Sequence, residues 1–483
     1  MLYHSTRNNT QTVDSAQAVL SGLAPDGGLY VPAAIPAFDA AACLQKSTMD
    51  MAKMIIGTLL PDIANMDALV EKAYRGTFES DELTPTVSAG DFSVLELFRG
   101  PTSAFKDVAL CMLPQLLTAA KNQKGMQEDI MILTATSGDT GKAALEGFHD
   151  VEGIKICVFY PDGGVSKVQR AQMVTQEGNN VGVCAVRGNF DDAQTGVKNI
   201  FAQAVDGKLP GSHRLSTANS INIGRLAPQI TYYFKAYADL MAAGKITFGD
   251  YVNFCVPTGN FGDILAGWLA KQLGLPVGKL LCASNANNVL TDFIQTGTYD
   301  RRRPLHKTTS PSMDILVSSN LERLLYFLSG DTALVASLMQ QLNTQGFYTV
   351  PETLKNAISA EFVAGCCSDE AAAETIAKVH KTTGYLCDPH TATAWAVAED
   401  YVNQTGDHSP MVILSTASPY KFPTAVLEAL GHCPAQDEFD QMAQLNAVSG
   451  VPVPQNLATL RGKTEKHTDV IDKTDMLAFV KAK

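Results

Sequence analysis

From residue 129 onward, short apolar runs alternate with segments of helical periodicity, and this alternation leaves few architectures open. Strands are predicted at 129–134, 154–160, 181–186, 251–256, 279–283 and 411–414. Helices are predicted at 142–148, 167–177, 191–205, 225–241 and 264–273. A buried strand followed by a helix, repeated, builds parallel sheets covered on both faces. The first 90 residues read differently: 22–32 is rich in turn formers, and helical segments follow at 40–60 and 66–78. A mainly helical N-terminal domain is expected at 1–90, then a larger region over 91–483 with a smaller α/β subdomain at about 107–215. The stretch 310–385 carries more helix, expected to pack around the large sheet. A length of 483 residues accommodates this, at roughly 150 residues per domain.

Charge and cysteine content narrow the function classes. The formal charge is -12, and the longest basic run, Arg301, Arg302 and Arg303, has no interleaved aromatic residue. Nucleic-acid binding needs a basic surface or stripe, so no such partner is expected. Small anions remain possible guests, because a pocket can be positive on an acidic protein. The ten cysteines form no CxxC pair and sit in apolar stretches, which reads as buried reduced thiols. His380, Cys387 and His390 lack a second cysteine at ligand spacing, so no metal is expected there. The first residues carry no basic stretch leading into an apolar core, and no apolar run approaches the ~18 residues of a membrane span. A cytoplasmic protein without a membrane partner is expected.

Four segments carry chemistry. In the first, Gly100-Pro101 turns into Thr102-Ser103-Ala104-Phe105-Lys106-Asp107, ahead of an apolar helix at 108–117. A lysine at a helix start, desolvated by Phe105 and Ala104, has a lowered pKa and suits Schiff-base chemistry. The bland alternative is an exposed lysine beside Asp107. In the second, Thr136-Ser137-Gly138-Asp139-Thr140-Gly141-Lys142 joins a strand to a helix. Thr136 stands where a nucleotide P-loop needs glycine, and Ala143 where it needs Ser or Thr, so no P-loop is present. A loop so rich in hydroxyls and N–H donors holds a carboxylate or phosphate. The third, Thr258-Gly259-Asn260-Phe261-Gly262-Asp263, also opens a helix; its glycines let backbone approach a ligand closely, and phosphate is the natural guest. The fourth, Ser415-Thr416-Ala417-Ser418, ends a strand in hydroxyl residues, where open α/β sheets bind ligands.

In this order the segments, with Ser5-Thr6-Arg7, Ala24-Pro25-Asp26-Gly27-Gly28-Leu29 and Asn219-Ser220-Ile221-Asn222, resemble the threonine synthase family over nearly the whole chain. The resemblance is to the longer bacterial and fungal branch. It implies an α/β fold: two parallel-sheet domains of the tryptophan-synthase-β type around pyridoxal 5′-phosphate, with the helical N-terminal domain added. It implies that Lys106, with Phe105 beside it, carries the cofactor, that Gly259, Asn260, Phe261, Gly262 and Asp263 cradle its phosphate, and that Thr416 meets its pyridine nitrogen. A neutral hydroxyl there leaves that nitrogen unprotonated. Where relatives have an asparagine contacting the phenolic oxygen, this chain has Asp139. Ser418 stands where relatives often have histidine, and Ile223-Gly224 follows Asn222 where bulkier residues are usual. Ser137, Gly138 and Thr140 are implied to hold the substrate carboxylate, and Asn222 to line the substrate site. The implied reaction converts O-phosphohomoserine and water to threonine and phosphate, by loss of phosphate from Cγ and addition of water at Cβ. Its leaving group needs a cation. Lys142, Lys167, Arg170 and Arg225 are candidates, with Lys167 and Arg225 preferred. A phospho-lyase giving a 2-keto acid and ammonia would use the same cofactor residues. A cofactor-free regulatory relative would not retain Lys106 and the phosphate loop. A monomer is expected from this branch.

Overall fold

The computed structural model describes residues 1–204, 207 and 213–483. Two sheets dominate. The larger has six strands in the order Phe362–Cys366, Val277–Ser284, Val252–Pro257, Met411–Ser415, Phe92–Glu96 and Thr86–Ala89. All of its pairings are parallel except the last, where Thr86–Ala89 runs antiparallel to Phe92–Glu96. The smaller is wholly parallel, in the order Val470–Ile471, Val181–Val186, Ile154–Pro161, Ile130–Ala135 and Arg214–Ser216. The central strands are buried along their whole length, as in Val252–Pro257 and Val181–Val186. Both faces are covered by helices, so these strands read as continuous apolar runs rather than alternating ones.

Several elements differ from the sequence expectation. The segment Leu2–Pro32 contains a three-stranded antiparallel sheet, Asn8–Asp14 against Leu2–Ser5 against Tyr30–Pro32, ahead of the helices Thr48–Leu59 and Met66–Tyr74. Polar Asn8–Asp14 lies mostly exposed and has no apolar pattern to betray it. Strand Phe362–Cys366 follows directly on helix Glu352–Glu361 with no turn residue between them. The helix expected at 225–241 is broken: Ile223–Leu226 and Ile230–Ala242 are joined by a 3-10 turn, Ala227–Gln229, containing Pro228. Proline lacks the N–H and crowds the preceding turn, which explains the break. The helix expected at 191–205 spans Phe190–Ala202, and Val205 lies outside the described residues. Eight of the cysteines are buried, Cys366 and Cys433 are exposed, and all ten are unpaired. No described helix is long and apolar enough to cross a membrane.

Helix Lys106–Gln123 sits at the centre of this arrangement, twelve of its 18 residues buried. Helix Asp139–Phe148 crosses it closely at Gly147, where a Cβ would stand 2.0 Å from the Leu110 carbonyl. That close crossing lets the first residues of both helices meet at the C-terminal ends of the sheet strands.

Candidate active site

The loop ahead of Lys106 is folded back on the helix start. Asp107 accepts from the Thr102 N–H (2.9 Å) and hydroxyl (2.5 Å). Gly100 packs on the same side chain; a Cβ there would lie 2.5 Å from Asp107 Oδ2. Burial pushes the Asp107 carboxyl up to about 6 despite these bonds. The loop is stitched to the end of strand Met411–Ser415: the Phe105 N–H donates to the Thr416 carbonyl at 2.8 Å, and Ala104 bridges Ala417. Lys106 is therefore the first residue of its helix, with its amine over the Phe105 ring, 5.1 Å from the centroid. The amine lies 3.3 Å from the Ser312 hydroxyl and 4.0 Å from Asp139 Oδ2. Burial drives its pKa down; Asp139 opposes this, while Lys421 and Arg225 reinforce it, leaving it at about 8. At neutral pH such an amine offers a neutral fraction roughly 300-fold that of an ordinary lysine.

The loop after strand Ile130–Ala135 supplies Asp139. Thr136 Oγ1 accepts from the N–H groups of Gly138 and Gly141, both at 2.9 Å, closing a tight turn. Gly138 has a φ of 137° and lies against Gln169, so a side chain there is excluded twice over. Asp139 Oδ1 accepts from Lys421 Nζ at 2.6 Å and from Gln169 Nε2 at 3.0 Å. Burial raises its pKa, but Lys421 and Lys106 outweigh burial and hold the carboxyl well below its ordinary range. Ser137 and Thr140 are half-buried on the same turn and make no side-chain hydrogen bond among the described residues. Both remain available to a ligand.

The third loop crosses Ser312. A Cβ on Gly259 would lie 2.7 Å from the Ser312 carbonyl. The Gly259 carbonyl accepts from the Ser318 hydroxyl (2.8 Å), and the Asn260 carbonyl from the Asn320 N–H (3.0 Å). Asn260 itself is exposed. Phe261 adopts a φ of 62° with its ring buried against Phe362, which turns the chain sharply into helix Gly262–Gln272. Asp263 is buried, and its Oδ1 accepts from the Ile264 N–H at 2.9 Å; burial pushes its carboxyl up to about 6. Gly259→Ala is expected to displace the Ser312 loop and weaken cofactor retention by about tenfold, the cost of a lost hydrogen bond or two. Fluorescence titration of the stripped protein with cofactor measures it.

The cations divide clearly. Arg225 is buried, its Nη1 donates to the Ala218 carbonyl at 2.5 Å, and its Nε has no partner. Burial lowers the guanidinium to about 10, and its charge is felt at Lys106. Lys167 points away: it is 57% exposed and pairs with Asp437 over the Phe439 ring. It lies at the first position of helix Lys167–Val174, and Gln169, two residues on, is the side chain that reaches Asp139. Lys142 is held by Glu146 and Gln176, and Arg170 by Glu465. Asn222 is also committed elsewhere, donating to the Val19 carbonyl (2.9 Å) and capping helix Ile223–Leu226 through the Gly224 N–H (2.9 Å). Of the residues the sequence singled out, the structure thus gathers Phe105, Lys106, Asp139, Arg225, the Gly259–Asp263 turn and Thr416, and leaves Lys167 and Asn222 outside.

Two participants escaped the sequence reading. Lys421 and Ser312 touch Asp139 and Lys106 directly. Behind Ser312, its N–H donates to His390 Nε2 at 3.1 Å, and His390 Nδ1 meets the buried Asp388 at 2.6 Å. No sequence motif marks Ser312 or Lys421, whereas Asp388-Pro389-His390, at a helix start, carried a capping signal.

Comparison with known proteins places this geometry. Residues 2–74 match the family described as threonine synthase N terminus, 78–417 that of the pyridoxal-phosphate dependent enzymes, and 391–480 the threonine synthase C-terminal family. Threonine synthase of Saccharomyces cerevisiae is 38% identical over 465 residues, covering 89% of each chain. The chain belongs to the threonine synthase family. Among solved structures of this family, PLP-bound threonine synthase from Brucella melitensis superposes with a TM-score of 0.88 at 38% identity, covering 100% of this chain and 99% of that one. The yeast threonine synthase structure gives 0.88 at 34% identity, covering 100% and 97%. Human threonine synthase-like 1 is 40% identical over 436 residues, 86% of this chain; the chain spans only 58% of that relative's length.

Proposed function

We propose that this chain is a pyridoxal-phosphate-dependent lyase that converts O-phosphohomoserine and water to L-threonine and phosphate, the last step in making threonine. The observation that carries the reading is the pair of anion sites flanking one buried amine: the Gly259–Gly262 turn at a helix start, and the bare Nε of buried Arg225. A cofactor phosphate and a substrate phosphate need one each.

The residues fit pyridoxal phosphate. The turn is closed to any side chain at Gly259 yet opens on the N–H groups of a helix start, which suit a phosphate. Lys106, at about 8, suits the cofactor's aldehyde. Phe105 flanks that amine, and Asp139 and Thr416 would hold the cofactor ring, Thr416 with a hydroxyl rather than a carboxylate for its nitrogen. When bound, the cofactor draws electrons from the substrate and acidifies its Cα and Cβ protons. Lys106, once free, takes those protons as general base. Ser137, Gly138 and Thr140 hold the substrate carboxylate with free hydroxyls and the helix N-terminus. Arg225 meets the charge that develops as phosphate leaves Cγ; in a water-poor site that donor is worth far more than in solution.

Product analysis with O-phosphohomoserine tests the reading. Threonine and phosphate in equal amounts support it. 2-Oxobutyrate and ammonia without threonine defeat it in favour of the phospho-lyase. We further propose that the protein acts as a monomer, and ten unpaired cysteines favour a reducing, cytoplasmic setting. Light scattering and cell fractionation check these two points.

A further inference from the structure

Lys421 is fully buried, and its ammonium has two partners, Asp139 Oδ1 at 2.6 Å and the Thr102 carbonyl at 3.1 Å. It is held by the 3-10 turn Pro419–Lys421, itself anchored where the Ser418 N–H donates to the Ser103 carbonyl at 3.2 Å. A fully buried ion pair contributes little net stability, because desolvation consumes most of the attraction. Its placement is informative instead. The two oxygens of one carboxylate face two lysines, Oδ1 toward Lys421 and Oδ2 toward Lys106.

We propose that Lys421 is a positioning residue for this site: it pins Asp139 and cancels its charge, so that Lys106 faces an oriented carboxylate without being locked into an ion pair. The proposal rests on Lys106 being the cofactor-bearing lysine. Without Lys421, the carboxylate's whole negative charge falls on the Lys106 nitrogen and favours its protonated form. Without Asp139, the bare Lys421 cation disfavours that form. The other charges facing Lys106 are Arg225, from helix Ile223–Leu226, and Asp263, from helix Gly262–Gln272; Phe105 and Ser312 present uncharged groups.

The test is the pH titration of the holoenzyme's visible absorption band in a set of variants. Lys421→Met is expected to raise the midpoint by about one pH unit and Asp139→Asn to lower it by about as much, as for an opposite or like charge within ~4–6 Å. The double variant is expected to return near the parent midpoint, and Lys421→Arg to stay close to it. Singles that move in the same direction, or a double variant that coincides with Asp139→Asn, overturn the proposal. The last comparison decides the matter even if Lys421→Met alone does not fold. Lys106→Ala separates the two levels of argument, because loss or retention of the band there judges only the underlying assignment of Lys106.

Discussion

Replacing Lys106 by alanine is expected to lower kcat by about 10⁴-fold, the upper end of what one positioned acid–base group contributes. The same variant is expected to lose the visible band of the holoenzyme while keeping its fold. On the proposed function the residue performs two tasks from one nitrogen, holding the cofactor and then moving the protons, so no neighbour is expected to replace it. Ser312, at 3.3 Å, offers a hydroxyl without a base to activate it, since its backbone N–H rather than its hydroxyl engages His390. Turnover of O-phosphohomoserine by purified Lys106→Ala, followed by phosphate release, is the measurement. Activity within tenfold of the parent would remove Lys106 from the mechanism.

Arg225→Met carries the second large effect, without a loss of stability. If Arg225 meets the substrate phosphate as proposed, its loss is expected to reduce kcat/KM by about 10²- to 10³-fold, equivalent to about 3–4 kcal/mol. The melting temperature of the ligand-free variant is expected not to fall. The wild-type guanidinium is buried with one carbonyl partner and an unsatisfied Nε, so an apolar side chain of similar volume removes a desolvation penalty at least as large as the bond it forfeits. Free phosphate is expected to protect the parent against heating and to leave the variant unaffected. A variant with parental kcat/KM would reassign the substrate phosphate to another cation.

The sheets were legible because parallel strands covered on both faces must be apolar throughout, as Val252–Pro257 and Ile154–Pro161 are. The ligand loops were legible because glycine and hydroxyl residues stand where strand ends turn into helices. Which cation enters the site was not. Lys167 and Gln169 lie two residues apart on the same first helical turn, and only the packing of that turn decides that the glutamine faces Asp139 and the lysine faces solvent. Lys421 lies far from Asp139 along the chain, and the turn that carries it resembles any Ser-Pro turn, so no local pattern announces the pair. Asn222 shows another limit: a buried asparagine serves equally well to cap a helix, and here its side chain engages the Gly224 N–H and the Val19 carbonyl.

The small sheet acquires its outer strand very late. Val470–Ile471 lies parallel to Val181–Val186, with Ala185 N–H bonded to the Asp469 carbonyl and Arg187 N–H to that of Ile471, both at 2.9 Å. Phe479 then stacks edge-on against Phe159, 5.7 Å between centroids. Translation at roughly 5–20 residues per second separates the two strands by about 15–60 s. During that interval Val181–Val186, apolar along its whole length, is an uncovered sheet edge on the ribosome, open to pairing with a neighbour.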